Sequence, residues 1–274
     1  GKYKYMRNYQ PFNVDGLYNF YRYKMLAYKE WYTLFQDGKL NDIQSQFFKP
    51  KPPESLYNIE EDPHETKNLA NDILYNDILI TMRKDLNNHL MSINDLSFLP
   101  VKIFLKNGID DVVEFSAQTK TLIKKLIDTS NLQLKDYDEV SSQIKNSLSD
   151  DNPWVRYWGL IVCSSFGSKA IENKEKINVI FENDSENLVR MRAAEFMLLN
   201  DIELNDSKIN SLLKSSNFEA EANLMLNTLA NIKTINPKYK MNLNKNVFPE
   251  NLIPPIREEN ALVNRRMNYL TENE

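Results

Sequence analysis

The chain has 274 residues, with 34 Lys and Arg against 38 Asp and Glu, a formal charge of −4 and a pI near 5.5. That length accommodates one large domain or two ordinary ones. The charge balance excludes a global pull towards nucleic acid or anionic membrane, so a polyanionic partner needs a local basic patch. The single Cys163 rules out an internal disulfide, and His64 and His89 alone leave a structural zinc site without its usual ligands.

In chain order, "YKYMRNY" at 3–9 places Tyr3, Tyr5, Arg7 and Tyr9 on one side, the alternation of an aromatic-rich strand, and Pro11 closes it. Apolar residues from Met25 to Phe35 recur at helical spacing, with Gly38 placed as a helix terminator. A second short helix is expected before Pro50, after which the prolines of "KPKPPE" impose an extended run. Leu56, Tyr57 and Ile59 predict a short strand, and Asp62-Pro63 a turn in which the Asp side chain bonds backbone while Pro63 presets φ. Asn71 then reads as the cap of a long helix whose buried face is Leu74, Ile78, Met82, Leu86, Leu90 and Ile93. Pro100 ends that unit.

Beyond it the sequence is nearly all helical. Val112, Phe115, Thr119, Leu122 and Leu126 stripe a helix behind Asp110-Asp111. Three similar segments begin at Ile144, Ile177 and Ile209, 33 and 32 residues apart, each with a helix, an Asp/Asn/Ser turn and a second helix. Val155-Arg156 and Val189-Arg190 recur at two of the second helices, so the pattern is that of a helical-hairpin repeat whose Arg reaches a neighbouring acidic turn (Asp150, Asp151 and Asp184 being the nearby acids). From Asn236 the chain is Pro- and Asn-rich to Glu258, with one last helix to about Leu270, and this tail is expected to wrap back on the body. The predicted fold is therefore α+β: a small antiparallel sheet with a packed long helix (1–104), an all-α helical-hairpin repeat region (105–235), and a tail with a terminal helix (236–274).

"PPESLYNIEEDPHETKNLAND", with "GKYKYMRNYQP", "EWYTLFQDGKL" and "MRKDLNNHL", resembles the C-terminal subdomain of the type I sulfatases. Pro52, Glu54, Leu56, Tyr57, Asp62, Pro63, Glu65, Asn68, Leu69 and Ala70 all fall on that pattern. "DDNPWVRYWGL" is similar to the turn and second helix of HEAT-like extensions on bacterial members. The resemblance implies a polypeptide that hydrolyses sulfate esters with calcium and a formylglycine made from Cys or Ser in a Cys/Ser-x-Pro-x-Arg signature, that is periplasmic or secreted, and that partners this segment with a catalytic sulfatase domain. It also implies that the strand, turn and helix around Asp62-Pro63 act mainly as a joint. The signature itself is unmatched. Cys163 has Ser165 and Gly167 at the Pro and Arg offsets, and Ile253-Pro254-Pro255-Ile256-Arg257 begins with Ile. The calcium-binding run of Asp and Asn is also unmatched, so no catalytic residue, metal ligand or cofactor is assigned to this chain. Gly1-Lys2-Tyr3 is not a signal peptide and opens directly in foldable sequence, so further sequence is expected upstream.

Outside that signature, His64 reads as an exposed turn residue and Cys163 as a small buried thiol. "NFYRYKMLAYKEWY" at 19–32 interleaves Arg22, Lys24 and Lys29 with Tyr21, Tyr23, Tyr28 and Trp31. Such a run either packs as aromatic core with solvated charges, or stacks on sugar rings and binds sulfate by charge-assisted bonds. The resemblance places the loop after "RNY" near a substrate cleft. This makes Arg7, Asn8, Tyr9, Arg22 and Lys24 the candidate contacts to a sulfated carbohydrate. With no visible cap before Met25 the segment is expected to be extended, so that Arg22 and Lys24 point the same way. A different reading takes the helical part from about residue 105 as an interaction or assembly module.

Overall fold

A computed structural model describes residues 1–19, 21–236, 239–249, 252 and 262–271. Strand β1 (Tyr3–Arg7) pairs antiparallel with β2 (Glu54–Asn58) in the register Tyr3 to Asn58, Tyr5 to Leu56 and Arg7 to Glu54. Between them lie α1 (Leu26–Gln36) and the single turn α2 (Asp42–Ser45), where Asn41 and Gln44 form a reciprocal capping box. Gly38 takes φ +65°, as the α1 terminator requires.

In the stretch after β2 the side chains of Asp62, Glu65 and Asn68 each hold a bond. The Asp62 carboxylate accepts from Lys67 N (2.7 Å) and Thr66 Oγ1 (3.1 Å), which lets Glu65 sit at φ +55° and accept Lys4 Nζ at 2.7 Å. Asn68 Oδ1 accepts from Leu56 N and Ala70 N, pinning the loop to β2. Glu54 takes a two-pronged bond from Arg83 of α3 (Asn76–Ile93) and a third from Tyr5 Oη. Leu56, Leu69 and Leu79 fill the small core beneath.

The α3 boundary differs from the sequence expectation. Asp72, not Asn71, accepts from Leu74 N, capping a 3₁₀ turn at Ile73–Tyr75, and the α-helix starts at Asn76. That turn carries Leu74 out of the helical phase, leaving it 83% exposed, while Ile93 lies 53% exposed beside Asn94, whose left-handed φ of +49° ends the helix. Leu79 takes the buried place instead. Pro100 is the N-cap of the short α4 (Val101–Asn107).

The remainder is helical, starting with α5 (Val112–Ser130), whose cap is Asp111 as expected. Three successive helix pairs follow: α6 (Tyr137–Ser147) with α7 (Pro153–Phe166), α8 (Lys174–Asn183) with α9 (Asn187–Leu199), and α10 (Asp206–Lys214) with α11 (Glu219–Ile235). The second helices form the spine: α5 packs on α7, α7 on α9, and α9 on α11, which also receives α12 (Leu262–Thr271). Asn152 caps α7 with Pro153 in its first turn, and Asn205 caps α10. Arg156 reaches across to Asp184 with two bonds, whereas Arg190 donates to the Phe181 carbonyl instead of an acidic turn.

The main apolar core is continuous across residue 104. Phe12, Leu90, Phe98 and Leu99 share it with Ile127, Leu160 and Phe196, and Trp158 Nε1 donates to the Phe98 carbonyl at 2.8 Å. Among the described residues no helix is long and apolar enough to cross a membrane.

Candidate functional site

The sequence candidates fall into two places. Arg7, Asn8 and Tyr9 lie together where β1 leaves the sheet. The Arg7 guanidinium donates to the carbonyls of Asn8, Pro53 and Ser130 at 2.8–2.9 Å and lies 4.7 Å from the Tyr9 ring centre. Asn8 bonds the Pro52 carbonyl through its side chain and the Pro53 carbonyl through its amide. Tyr9 packs edge-on against Phe98 and Trp158, and burial raises its phenol pKa. These three therefore stitch the strand end to the 52–53 loop and to the end of α5.

Arg22 and Lys24 lie further on, in a 3₁₀ turn at Arg22–Lys24 rather than an extended run. The cap that sequence reasoning missed is Asn19: its Oδ1 accepts from the amides of Tyr21 and Arg22, and its carbonyl from Tyr23 N. At three residues per turn, side chains two apart diverge by about 120°, so Arg22 and Lys24 do not point the same way. Arg22 turns inward, donating to the Asp15 carbonyl at 2.6 Å and the Leu17 carbonyl at 3.3 Å, over the rings of Tyr28 and Phe47. Lys24 is exposed, as is Tyr21 three residues earlier, at 67%.

Beneath this segment is a mesh of rings. Trp31 stacks on Phe47 at 4.9 Å and donates to the Gln44 carbonyl, and Phe35 stacks on Phe48 at 4.7 Å. Gly16 is required here, because a Cβ on it would stand 2.5 Å from Phe48 Cδ1. Tyr23 Oη donates to the Gly16 carbonyl, and burial pushes its pKa up. Of the 19–32 run, the rings of Tyr23, Tyr28 and Trp31 are half-buried in this mesh, and Tyr21, Lys24 and Lys29 are exposed.

The far end of the chain packs on the same mesh. Tyr269 of α12 stacks on Tyr18 with centroids 3.7 Å apart and planes 10° from parallel, and Tyr18 also stacks on Tyr23. Arg266 donates to the Tyr18 carbonyl at 2.9 Å, and Arg265 lies 5.7 Å from the Tyr21 ring centre. Sequence reasoning predicted the helix and not its residues' role, although "NRRMNYL" repeats the basic-aromatic composition of 19–32.

Neither group implied by the family resemblance fits these residues. Cys163 is wholly enclosed in α7, and desolvation raises its thiol pKa. No three His, Cys, Asp or Glu side chains converge among the described residues, and Ile253–Arg257 lies outside them. His64 is exposed on its turn.

The chain is 40% identical over 100 residues to an ulvan-active sulfatase of Formosa agariphila. The match covers 36% of this chain and 17% of that protein. No family model and no solved structure matches. The chain therefore contains a region related to part of a sulfatase.

Proposed function

We propose that this chain is the C-terminal portion of a sulfatase that hydrolyses sulfate esters of a sulfated polysaccharide, and that it supplies substrate-proximal and structural parts rather than the catalysts. The observation that carries this reading is the 40% identity over 100 residues to the ulvan-active sulfatase. It is supported by the way Glu54, Asp62, Glu65 and Asn68 each hold a bond of the joint. On this reading the formylglycine, its calcium and the catalytic domain belong to another part of a periplasmic or secreted polypeptide, and the helix pairs are HEAT-like repeats. Of the candidates, Lys24 on the outer face contacts sulfate directly, Arg22 orders the segment that presents it, and Arg7, Asn8 and Tyr9 set the strand end from which that segment leaves. The test is sulfate release from sulfated oligosaccharides, which the natural polypeptide is expected to catalyse and the 274-residue chain alone is not.

A second reading, an assembly module, draws on one feature. Ile109, Val112 and Val113 are 55%, 47% and 82% exposed where the helical part begins, a place where a partner subunit could bury them. Sedimentation of the protein with Val113→Asp separates the two: a changed oligomeric state supports assembly, and an unchanged one removes it.

A further inference from the structure

Helices α3 and α5, where the sheet-bearing part of the chain meets the helical part, enclose a cleft of about 470 Å³. One wall is Asn87, Met91 and Asn94, which the i, i+4 and i+7 spacing of a helix puts on one face. The other is the stripe of α5 that runs from Lys120 to Asp128. Two bonds bracket the cleft: Asn94 Nδ2 donates to the Ser116 carbonyl at 2.6 Å, and Asn131 Nδ2 donates to Asn87 Oδ1 at 2.9 Å. The cleft is therefore preformed. Among the described residues Lys120 Nζ, Thr121 Oγ1 and Asn87 Nδ2 hold no bond to protein, while Lys124 is paired with Asp128 at 2.6 Å. The charges lining the cleft are thus Lys120 and Lys124 against Asp128, a positive excess. We propose that this cleft binds one acidic pyranose unit, with its carboxylate or sulfate ester on Lys120 and Asn87 Nδ2, its hydroxyls on Thr121 and Asn94 Oδ1, and its C–H face on Met91.

The donor and acceptor inventory decides the ligand class. An ammonium and an amide NH₂ without protein partners call for an anionic acceptor, which they meet with charge-assisted bonds. Asn94 spends its Nδ2 on Ser116 and keeps Oδ1 for a donor, and a hydroxyl is the donor a sugar brings. Half-buried Met91 and the aliphatic stems of the two lysines supply the apolar floor on which a ring can lie. A neutral sugar would leave Lys120 without a counter-charge, and a bare inorganic anion would leave the floor and Asn94 unused. The volume falls within the range of roughly 300–1,000 Å³ usual for small-ligand sites, and such sites favour the junction between two parts of a fold. Because the two bracketing bonds set the walls before any ligand arrives, little ordering cost remains. None of these residues is among the candidate contacts Arg7, Asn8, Tyr9, Arg22 and Lys24, so the site goes beyond the sulfatase reading and does not depend on it.

The test is an NMR titration of the isotope-labelled 274-residue chain with glucuronate, a glucose monosulfate, glucose and inorganic sulfate, followed at the amides of Met91, Lys120 and Thr121. At least one of the two acidic sugars should shift these amides saturably, and the tighter of them names the acidic group. Glucose and inorganic sulfate should bind about tenfold or more weakly, as loss of a charge-assisted contact or of the ring contacts implies. Lys120 and Thr121 are exposed, so both positions accept substitution without disturbing the core. Lys120→Glu should weaken the acidic sugar by about tenfold or more, Lys120→Arg should keep it, and Thr121→Trp should abolish binding by filling the cleft from its open wall. No saturable shift with either acidic sugar, equal binding of glucose or of inorganic sulfate, or wild-type binding by Lys120→Glu would each overturn the proposal. Sulfate release plays no part in this readout, so a cleft that fails to bind leaves the sulfatase reading standing, and an inactive polypeptide leaves the cleft standing.

Discussion

Arg156, one turn into α7, holds the carboxylate of Asp184 through its Nε and Nη2 at 2.6 and 2.9 Å, while its Nη1 donates to the carbonyls of Asp150 and Asp151. Asp184 ends α8, so one guanidinium closes its own turn and ties it to the turn of the next helix pair. The Asp184 side chain is 3% exposed and that of Arg156 15%, and removing either partner strands a desolvated charge. Arg156→Ala and Asp184→Ala are each expected to cost about 3–5 kcal/mol. The double variant should cost much less than the sum, because the second substitution removes the stranded partner. Urea melts of the three variants give the cycle; strictly additive losses would show that the pair does not act as a unit.

The joint has its own pH signature. The hydrogen bond from Lys67 N, helped by Thr66, holds the Asp62 carboxyl below the ordinary carboxylate range. A folded-state pKa below the unfolded value of about 3.9 means that the turn's contribution is complete above that pH and is lost as pH falls through the folded pKa. NMR of the Lys67 amide should therefore report the turn intact at pH 5 and opening only in strong acid. Asp62→Asn should flatten that response, and an Asp62 carboxyl that titrates as in a free peptide would rule the explanation out.

Glu54 is the fixed point of the same joint, held by Arg83 at 2.5 and 2.9 Å and by Tyr5 Oη at 2.9 Å. Arg83→Lys keeps the charge and loses the two-pronged geometry, so it should cost about 1–2 kcal/mol in thermal unfolding. Tyr5→Phe should cost about 1 kcal/mol. A neutral Arg83→Lys would mean that charge alone matters there.

Gly16 offers a steric test of the ring mesh. Gly16→Ala drives a methyl group against Phe48, which is itself stacked on Phe35, and is expected to destabilise by about 1–3 kcal/mol with a changed near-UV aromatic spectrum.

Arg22 and Lys24 should separate in function. Arg22→Ala removes bonds to the Asp15 and Leu17 carbonyls and is expected to lower Tm and to impair turnover of large and small sulfate esters alike. Lys24→Ala should raise KM only for a sulfated oligosaccharide and leave turnover of a small ester unchanged. Identical behaviour of the two variants would contradict the division between ordering and contact.

What the sequence made legible was local. Asp62 and Asp111 announce their turns because each bonds a backbone amide within a few residues. The exposure of Leu74 and Ile93 was not legible, since periodicity continues past the points where a 3₁₀ turn and a left-handed Asn94 break the helix. Asn19 was hidden in a tyrosine-rich run that reads as an extended loop. The Tyr18–Tyr269 stack joins residues at opposite ends of the chain, and no local pattern encodes such a pairing.

Sulfate release, measured side by side for the natural polypeptide and for the 274-residue chain on a sulfated oligosaccharide and an aryl sulfate, tests the central claim most directly. Release by the polypeptide and none by the chain is expected, because Cys163 is enclosed and no Cys/Ser-x-Pro-x-Arg signature is present. Release by the chain itself, or none by the polypeptide on either ester, would contradict it.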